Sequence, residues 1–87
     1  MTAAERIGAN IRAFRKASGL SQEACAERAQ IHTSGMTPLE RGEHGPRAET
    51  LLKLAGALDV EPAALLDGVR WEPGHWGPGR FVIEDES

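Results

Sequence analysis

The chain has 87 residues, a formal net charge of −3 at pH 7 and a hydrophobic fraction of 40%. These values fit one small folded domain, and they exclude an intrinsically disordered chain and a strongly basic nucleic-acid-binding protein. No apolar run approaches the roughly 20 residues of a membrane span. The single cysteine cannot form an internal disulfide, and the first residues lack the apolar core of a signal peptide, so we expect a cytoplasmic protein.

The first predicted element is a helix that begins near Ala3. Thr2 and Glu5 have the Thr-x-x-Glu spacing of a capping box, in which each side chain accepts a hydrogen bond from the other residue's backbone amide. Gly19 is expected to end the helix. The apolar residues that share one face of this helix are Ile7, Ile11 and Phe14.

A second helix is predicted over Gln22–Ala29, with Ser21 as its N-cap residue. The serine hydroxyl can accept a hydrogen bond from an otherwise unpaired amide of the first helical turn. Small residues along this helix allow a neighbouring helix to approach closely. Cys25 falls on the inner face, which indicates a buried, inert thiol in preference to a redox or catalytic one, because the spacing suggests no partner group.

A third helical segment is expected up to Arg41, ending at Gly42, a residue suited to the left-handed C-terminal position. Gly35 and Pro38 disturb this segment, because glycine costs roughly 1 kcal/mol relative to alanine and proline lacks a backbone donor. We therefore expect either a kinked helix or a late-starting one, with Thr37 as N-cap and Pro38 as first helical residue. Two short helices with a tight turn between them can present the second to the DNA major groove.

Residues 43–47 read as a loop, and a fourth helix is predicted over Ala48–Leu58. A short fifth helix is expected to start with Pro62 in its first position and to end at Gly68. The residues expected on the buried faces of these two helices are Leu51, Leu54, Ala55, Leu58, Leu65 and Leu66.

The chain changes character after Gly68, which divides it into a predicted helical domain over residues 1–68 and a tail over residues 69–87. The segments on either side of a Gly/Pro-rich loop read as strands that can pair as a hairpin. A lone hairpin is marginal in water and leaves its edges open, so we expect this tail to pair with the same segment of a second subunit. The alternatives are a tail folded on its own domain and a disordered tail. The residues expected in the dimer interface are Trp71, Trp76, Phe81, Val82 and Ile83.

Several short motifs between residues 5 and 68 match one known pattern. They are Arg15 ahead of Gly19-Leu20-Ser21-Gln22-Glu23, then Ala26-Glu27, Leu39-Glu40-Arg41-Gly42, Leu51-Leu52-Lys53-Leu54-Ala55, Leu58-Asp59-Val60 and Leu65-Leu66-Asp67-Gly68. Together they resemble the lambda-repressor-like (Xre/Cro-type) helix-turn-helix family. The resemblance implies an all-α, compact five-helix domain with a short C-terminal β-strand or hairpin tail. It also implies a bacterial repressor that regulates transcription as a homodimer, with the helix Thr33–Arg41 in the major groove of operator DNA.

The resemblance implies roles by position as well. The expected base-reading residues are Thr33, Ser34 and Thr37. The expected phosphate-contacting residues are Gln22, which opens a helix whose N-terminus favours an anion, and Arg41, His44 and Arg47. Arg15 and Glu40 match a buried ion pair that ties the first helix to the end of the third; the other interpretation is two unrelated surface charges.

The chain departs from the family pattern where relatives often carry long polar side chains. Its recognition segment offers hydroxyls, a glycine and a proline, and no bidentate reader of guanine or adenine. DNA shape and half-site spacing would then supply specificity. The alternative function is a protein-interaction module or antitoxin-like partner on a helix-turn-helix scaffold, with weak or lost DNA binding and the tail as its docking segment.

An enzyme is not expected from this sequence. The three histidines, at positions 32, 44 and 75, do not have metal-ligand spacing with Cys25, and no phosphate loop or nucleophile motif occurs. We therefore expect no metal site and no cofactor. Double-stranded DNA is the expected partner, and no membrane association is predicted.

Overall fold

The computed structural model describes residues 1–84, and its elements follow the local signals of the sequence closely. The helices are α1 (Ala3–Ala17), α2 (Gln22–Ala29), α3 (Met36–Arg41), α4 (Ala48–Leu58) and α5 (Pro62–Leu65), with a 3₁₀ turn over Thr33–Gly35 ahead of α3. The strands β1 (Val69–Glu72) and β2 (Arg80–Ile83) follow. The predicted all-α, five-helix domain with a C-terminal hairpin is confirmed.

Side-chain caps fix the starts of the first two helices. The backbone amide of Thr2 donates to the Glu5 carboxylate at 2.8 Å, and the amide of Glu5 donates to the Thr2 hydroxyl at 3.1 Å. This capping box is the one that the sequence predicts, and its hydrogen bonds lower the pKa of Glu5. Ser21 caps α2 in the same way, because its hydroxyl accepts from the amide of Ala24 at 3.0 Å.

The start of α3 corrects the sequence prediction. The helix does begin late, but at Met36, so Thr37 is not its N-cap and Pro38 is its third residue. Proline is tolerated there because amides in the first helical turn have no partner within the helix. Met36 is fully buried, and we infer that its burial, together with the preceding 3₁₀ turn, sets the register that local signals alone left open.

The core lies where α1 packs on α3 and α2 packs on α4. Gly8 makes the first of these contacts close, because a Cβ at this position would lie 2.2 Å from the carbonyl oxygen of Leu39. Small residues on α2 serve the same purpose on the other side. The buried hydrophobic residues are Ile11, Cys25, Ala26, Ala29, Met36, Leu39, Leu54, Ala55, Ala57, Leu58 and Leu65.

The last helical turn departs from prediction in two ways. α5 ends at Leu65 and not at Gly68, which instead takes a left-handed conformation (φ +83°) ahead of β1. Leu66 was expected to face inward and is 40% exposed, whereas Leu65 is fully buried. Leu66 is the C-cap residue of α5, with φ −102° and ψ 4°, so it lies past the helical turn that carries Leu65 into the core.

The tail forms an antiparallel hairpin in which Val69 pairs with Ile83 and Trp71 pairs with Phe81. The pairing continues past β2, because the amide of Glu84 donates to the carbonyl of Gly68 at 2.7 Å. Arg6 of α1 donates to the carbonyl oxygen of Glu84 at 2.6 Å, which fastens the hairpin to the helical body. Residues 85–87 of the predicted tail lie outside the described residues. Between residues 1 and 84, no helix is long and apolar enough to cross a membrane.

Candidate nucleic-acid interface

Two short helices and a tight turn form the centre of the candidate interface. α2 ends at Ala29, and its C-cap residue Gln30 adopts a left-handed conformation (φ 55°). The amide of Ile31 then donates to the carbonyl of Ala26 at 3.0 Å. This closed turn reverses the chain toward the 3₁₀ turn and α3. The inner face of α2 carries the small buried residues Cys25, Ala26 and Ala29, so the neighbouring elements approach it closely.

A buried hydrogen-bonded network joins α1, α2 and α3. The Arg15 guanidinium forms a two-pronged pair with the Glu40 carboxylate, at 2.6 Å from Nε and 2.9 Å from Nη2, and its Nη1 donates to the carbonyl of Leu20 at 2.9 Å. The two side chains are 11% and 4% exposed, so this is a buried pair and not two surface charges. The hydrogen bond to Glu40 raises the pKa of Arg15, which keeps the guanidinium charged.

Gln22 and Thr37 extend this network toward the surface. The Gln22 amide nitrogen donates to Glu40 at 3.2 Å, and the Thr37 hydroxyl donates to the Gln22 amide oxygen at 3.0 Å. Both ends of the Gln22 side chain are therefore engaged within the protein. Thr37 is half-buried and lies inside the network, whereas Thr33 and Ser34, the other expected base readers, are exposed in the 3₁₀ turn.

A polar cleft of about 350 Å³ opens on one side of α3, lined by Arg12, Arg15, Gln22, Thr37, Glu40 and Arg41. Arg12 and Arg41 are exposed, and among residues 1–84 neither forms an ion pair. Because Arg15 neutralises Glu40, these two guanidiniums dominate the charge of the cleft. Sequence reasoning missed Arg12, although its position one turn before Arg15 on α1 was a usable signal.

A second cleft, of about 560 Å³, opens on the opposite side of α3. Its lining includes Ser34, a predicted base reader, and also His44 and Arg47, two residues predicted to contact the DNA backbone. Both His44 and Arg47 are exposed, and Arg47 occupies the N-cap position of α4 without a side-chain capping bond. α3 thus lies between two clefts, each with basic residues on its wall.

The aromatic residues of the tail form a separate apolar surface. The rings of Trp71 and Phe81 meet edge to face at 5.1 Å and are 55% and 58% exposed. They line an apolar groove of about 440 Å³ with Ala3, Ala4, Ile7 and Leu66. Trp76, at the loop tip, is fully exposed, whereas Val82 and Ile83 are half-buried.

The remaining candidate for chemistry is Cys25, whose side chain is fully buried. Burial raises the pKa of its thiol, because the charged thiolate is poorly solvated there. The thiol therefore stays protonated and inert at neutral pH. No group of three or more His, Cys, Asp and Glu side chains is placed to hold a metal ion in the part of the chain that the structure describes.

Comparisons with known proteins agree with this geometry. A sequence model described as a helix-turn-helix domain matches residues 6–67. The immunity repressor protein of Bacillus phage phi105 is 35% identical over 60 residues, which make up 69% of this chain and 42% of the phage protein. The chain therefore spans less than half the length of that relative.

Two solved structures are similar to this chain in both fold and sequence. The restriction-modification controller protein C.AhdI from Aeromonas hydrophila has a TM-score of 0.69 at 39% identity, covering 71% of this chain and 94% of that one. The P22 c2 repressor, solved in complex with a synthetic operator, has a TM-score of 0.66 at 35% identity, with the same coverage of 71% and 94%. The chain belongs to the lambda-repressor-like helix-turn-helix family.

Proposed function

We propose that this protein is a sequence-specific DNA-binding transcriptional regulator, and a repressor, that places the segment Thr33–Arg41 in the major groove of operator DNA. It shares its fold with a repressor solved on an operator. It acts as a homodimer through its tail, in the cytoplasm where bacterial DNA lies, and it is not an enzyme. Thr33 and Ser34 are the residues that touch base edges. The hydroxyl of Thr37, the third expected base reader, donates to Gln22 within the protein.

The observation that carries this proposal is the position of the arginines around α3. Arg12 and Arg41 line the cleft on one side of the helix, and Arg47 lines the cleft on the other. A recognition helix in the major groove has a phosphate backbone on each side, so this arrangement suits contacts to both strands. Although the whole chain carries a net charge of −3, these residues place positive charge on the surface that DNA would approach.

Binding to DNA from upstream of the protein's own gene tests the proposal, because small regulators often control themselves. The titration is repeated at several salt concentrations and with an excess of nonspecific competitor DNA. We expect competitor-resistant binding whose log K falls linearly with log salt, since phosphate contacts release condensed counterions. Binding that competitor abolishes would contradict sequence-specific recognition.

Alanine at Arg12 or Arg41 tests the polar cleft directly. Each substitution should weaken binding to all sequences alike and reduce the salt slope by about 1, the loss expected for one phosphate contact. Lys53→Ala is the matched control, because Lys53 is an exposed cation on α4 outside both clefts. An unchanged slope in Arg41→Ala would remove that residue from the phosphate contacts.

A second candidate function is supported by the tail. Trp71, Phe81 and Leu66 expose apolar surface beside the groove, which suits a protein-interaction module or an antitoxin-like partner with weak or lost DNA binding. The two functions predict different results in the DNA titration described above. Absence of DNA binding at low salt, together with binding of a protein partner through the tail, would favour the second function.

A further inference from the structure

We infer that the open edge of β2 pairs with β2 of a second copy, antiparallel, about a two-fold axis at Val82. The pairing rests on the proposed homodimer and specifies its strand, its edge and its register. It joins the two hairpins into one continuous sheet. The partner is therefore a second copy of this chain.

The backbone of β2 has groups available for this pairing. The amide of Glu84 donates to Gly68 at 2.7 Å, so Glu84 directs its backbone groups toward β1. Backbone direction alternates along an antiparallel strand, so the groups of Phe81 and Ile83 point to the opposite edge. In the described part of the chain, β2 belongs to a sheet of two strands, which leaves that edge without a neighbouring strand.

The edge of β1 suits such pairing less well. The amide of Val69 already donates to the carbonyl of Leu66 at 3.2 Å, so the start of this edge is occupied. Pro73 follows β1 directly and has no backbone N–H to donate. These two features favour β2 as the strand that joins a second copy.

The sequence of β2 selects the register. Arg80 and Glu84 carry opposite charges at equal distances from Val82. Antiparallel pairing centred on Val82 therefore places Arg80 opposite Glu84 of the partner subunit, twice in each dimer. The same register places Phe81 opposite the partner's Ile83, and both of these residues direct their backbone groups to the shared edge.

The two faces of the joined sheet are then chemically consistent. On one face Arg80, which already lies 3.2 Å from Glu72 of its own hairpin, would sit between two carboxylates. On the other face the Trp71–Phe81 ring pair would continue into the partner's Ile83 and Val69, which makes an apolar row. An axis at Phe81 would keep each side chain on its face but would place Arg80 opposite the partner's Val82 and away from the partner's Glu84, so the charges favour the axis at Val82.

The apolar groove beside the hairpin supports the same occupant. Trp71 and Phe81 are more than half exposed in one chain, and the groove they line continues onto α1 and Leu66. Pairing through β2 places the partner's Ile83 beside the exposed ring of Phe81 and so covers part of that ring. The register leaves Trp76 outside the shared strands, so Trp76 is not required for this contact.

Charge reversal tests the register on the full-length chain. Arg80→Glu creates two Glu–Glu contacts in its own homodimer, and Glu84→Arg creates two Arg–Arg contacts. Each variant alone should dimerise about tenfold more weakly in sedimentation experiments. An equimolar mixture of the two should form heterodimers, because both contacts then join opposite charges, and Trp76→Ala should dimerise like the unmodified chain.

A disulfide provides a second, independent measurement. Val82→Cys places two thiols opposite each other on the two-fold axis, where side chains of a non-hydrogen-bonded pair come closest, so mild oxidation should yield a cross-linked dimer. Arg70→Cys is the matched control, because Arg70 shares that face of the sheet but lies on the other strand. The buried Cys25 does not interfere.

The outcomes separate this inference from the proposed function. The β2 register is overturned if the protein dimerises but Val82→Cys does not cross-link and the mixed charge variants do not form heterodimers. That result leaves regulation by a dimer intact. A chain that stays monomeric in solution and on operator DNA overturns the homodimer as well. Heterodimer formation together with selective cross-linking supports the inference.

Discussion

The helical body and the hairpin differ in how much of their apolar surface is buried within one chain. In the body, α1 to α5 enclose a continuous core in which Ile11, Met36, Leu54 and Leu65 are fully buried. In the hairpin, Trp71 and Phe81 contact each other yet remain more than half exposed. The core of the body is therefore complete within one chain, whereas the hairpin leaves part of its apolar surface uncovered in one chain.

The polar groups show the same contrast. The buried pair of Arg15 and Glu40 is satisfied by several hydrogen bonds and fixes three helices relative to one another. The pairs that Glu72 forms with Arg70 and Arg80 are exposed, at 3.4 Å and 3.2 Å, and contribute little to stability. Changes in the body should therefore cost folding free energy, and changes in the tail should alter association.

The largest expected effect is the loss of the buried pair. Glu40→Ala leaves the Arg15 guanidinium buried without its counter-ion, so the free energy of unfolding should fall by about 3–5 kcal/mol. Urea denaturation measures this change, with Glu43→Ala, an exposed carboxylate in the next turn, as the control within about 0.5 kcal/mol of the unmodified protein. A loss as small as that of the control would show that the pair is solvated.

Two glycines in helices should respond with opposite signs to alanine. A Cβ at Gly8 would collide with the carbonyl of Leu39 at 2.2 Å, so Gly8→Ala should destabilise the α1–α3 contact by about 1–3 kcal/mol. Gly56 is exposed inside α4, and a Cβ added there would meet no other atom within 4 Å, so Gly56→Ala should stabilise by about 1 kcal/mol. Thermal unfolding of both variants measures the two effects, and equal shifts would contradict the close approach at Gly8.

Removal of the tail should affect association much more than folding. A chain that ends at residue 68 should keep its helical circular dichroism and lose about 1–2 kcal/mol, because it loses the bond from Arg6 and some packing against α1. It should also be a monomer by sedimentation. A truncated chain that still dimerises would place the interface on the helices.

The smallest expected effect is a pH dependence at the start of α1. The pKa of Glu5 is lowered below its ordinary value of 4.5 by its hydrogen bonds with Thr2. Its stabilising contribution is therefore complete above about pH 4.5 and is lost as the pH falls through the lowered pKa. Glu5→Gln should unfold at a lower temperature than the unmodified chain at pH 7, and the difference should shrink at pH 3.

Local signals predicted most of the helical body. Thr2, Ser21 and Pro62 mark helix starts through interactions with their immediate neighbours, so the starts of α1, α2 and α5 could be read directly. The start of α3 could not, because it depends on the burial of Met36 in a core formed by distant residues. The prediction that Leu66 faces inward was wrong, because α5 ends at Leu65 and Leu66 lies at its C-cap.

The residues of the candidate site were predicted from the family resemblance more than from local sequence signals. The Arg15–Glu40 pair lies where the family pattern placed it, whereas Thr33 and Ser34 lie in the 3₁₀ turn ahead of α3 and not in the helix itself. The bonds of Gln22 to Glu40 and Thr37 join residues 15 to 18 positions apart, and no local rule reveals such contacts. DNA contacts and the dimer interface stay predictions until they are measured.

The chain of contacts from Thr37 through Gln22 and Glu40 to Arg15 has a consequence for protein engineering. An altered side chain at residue 37 would change the partner of Gln22, and through it the setting of α1. Substitutions at these four positions should therefore be non-additive. For a recognition helix grafted from a relative, we therefore expect better function when residues 15, 22, 37 and 40 are exchanged together than when they are exchanged singly.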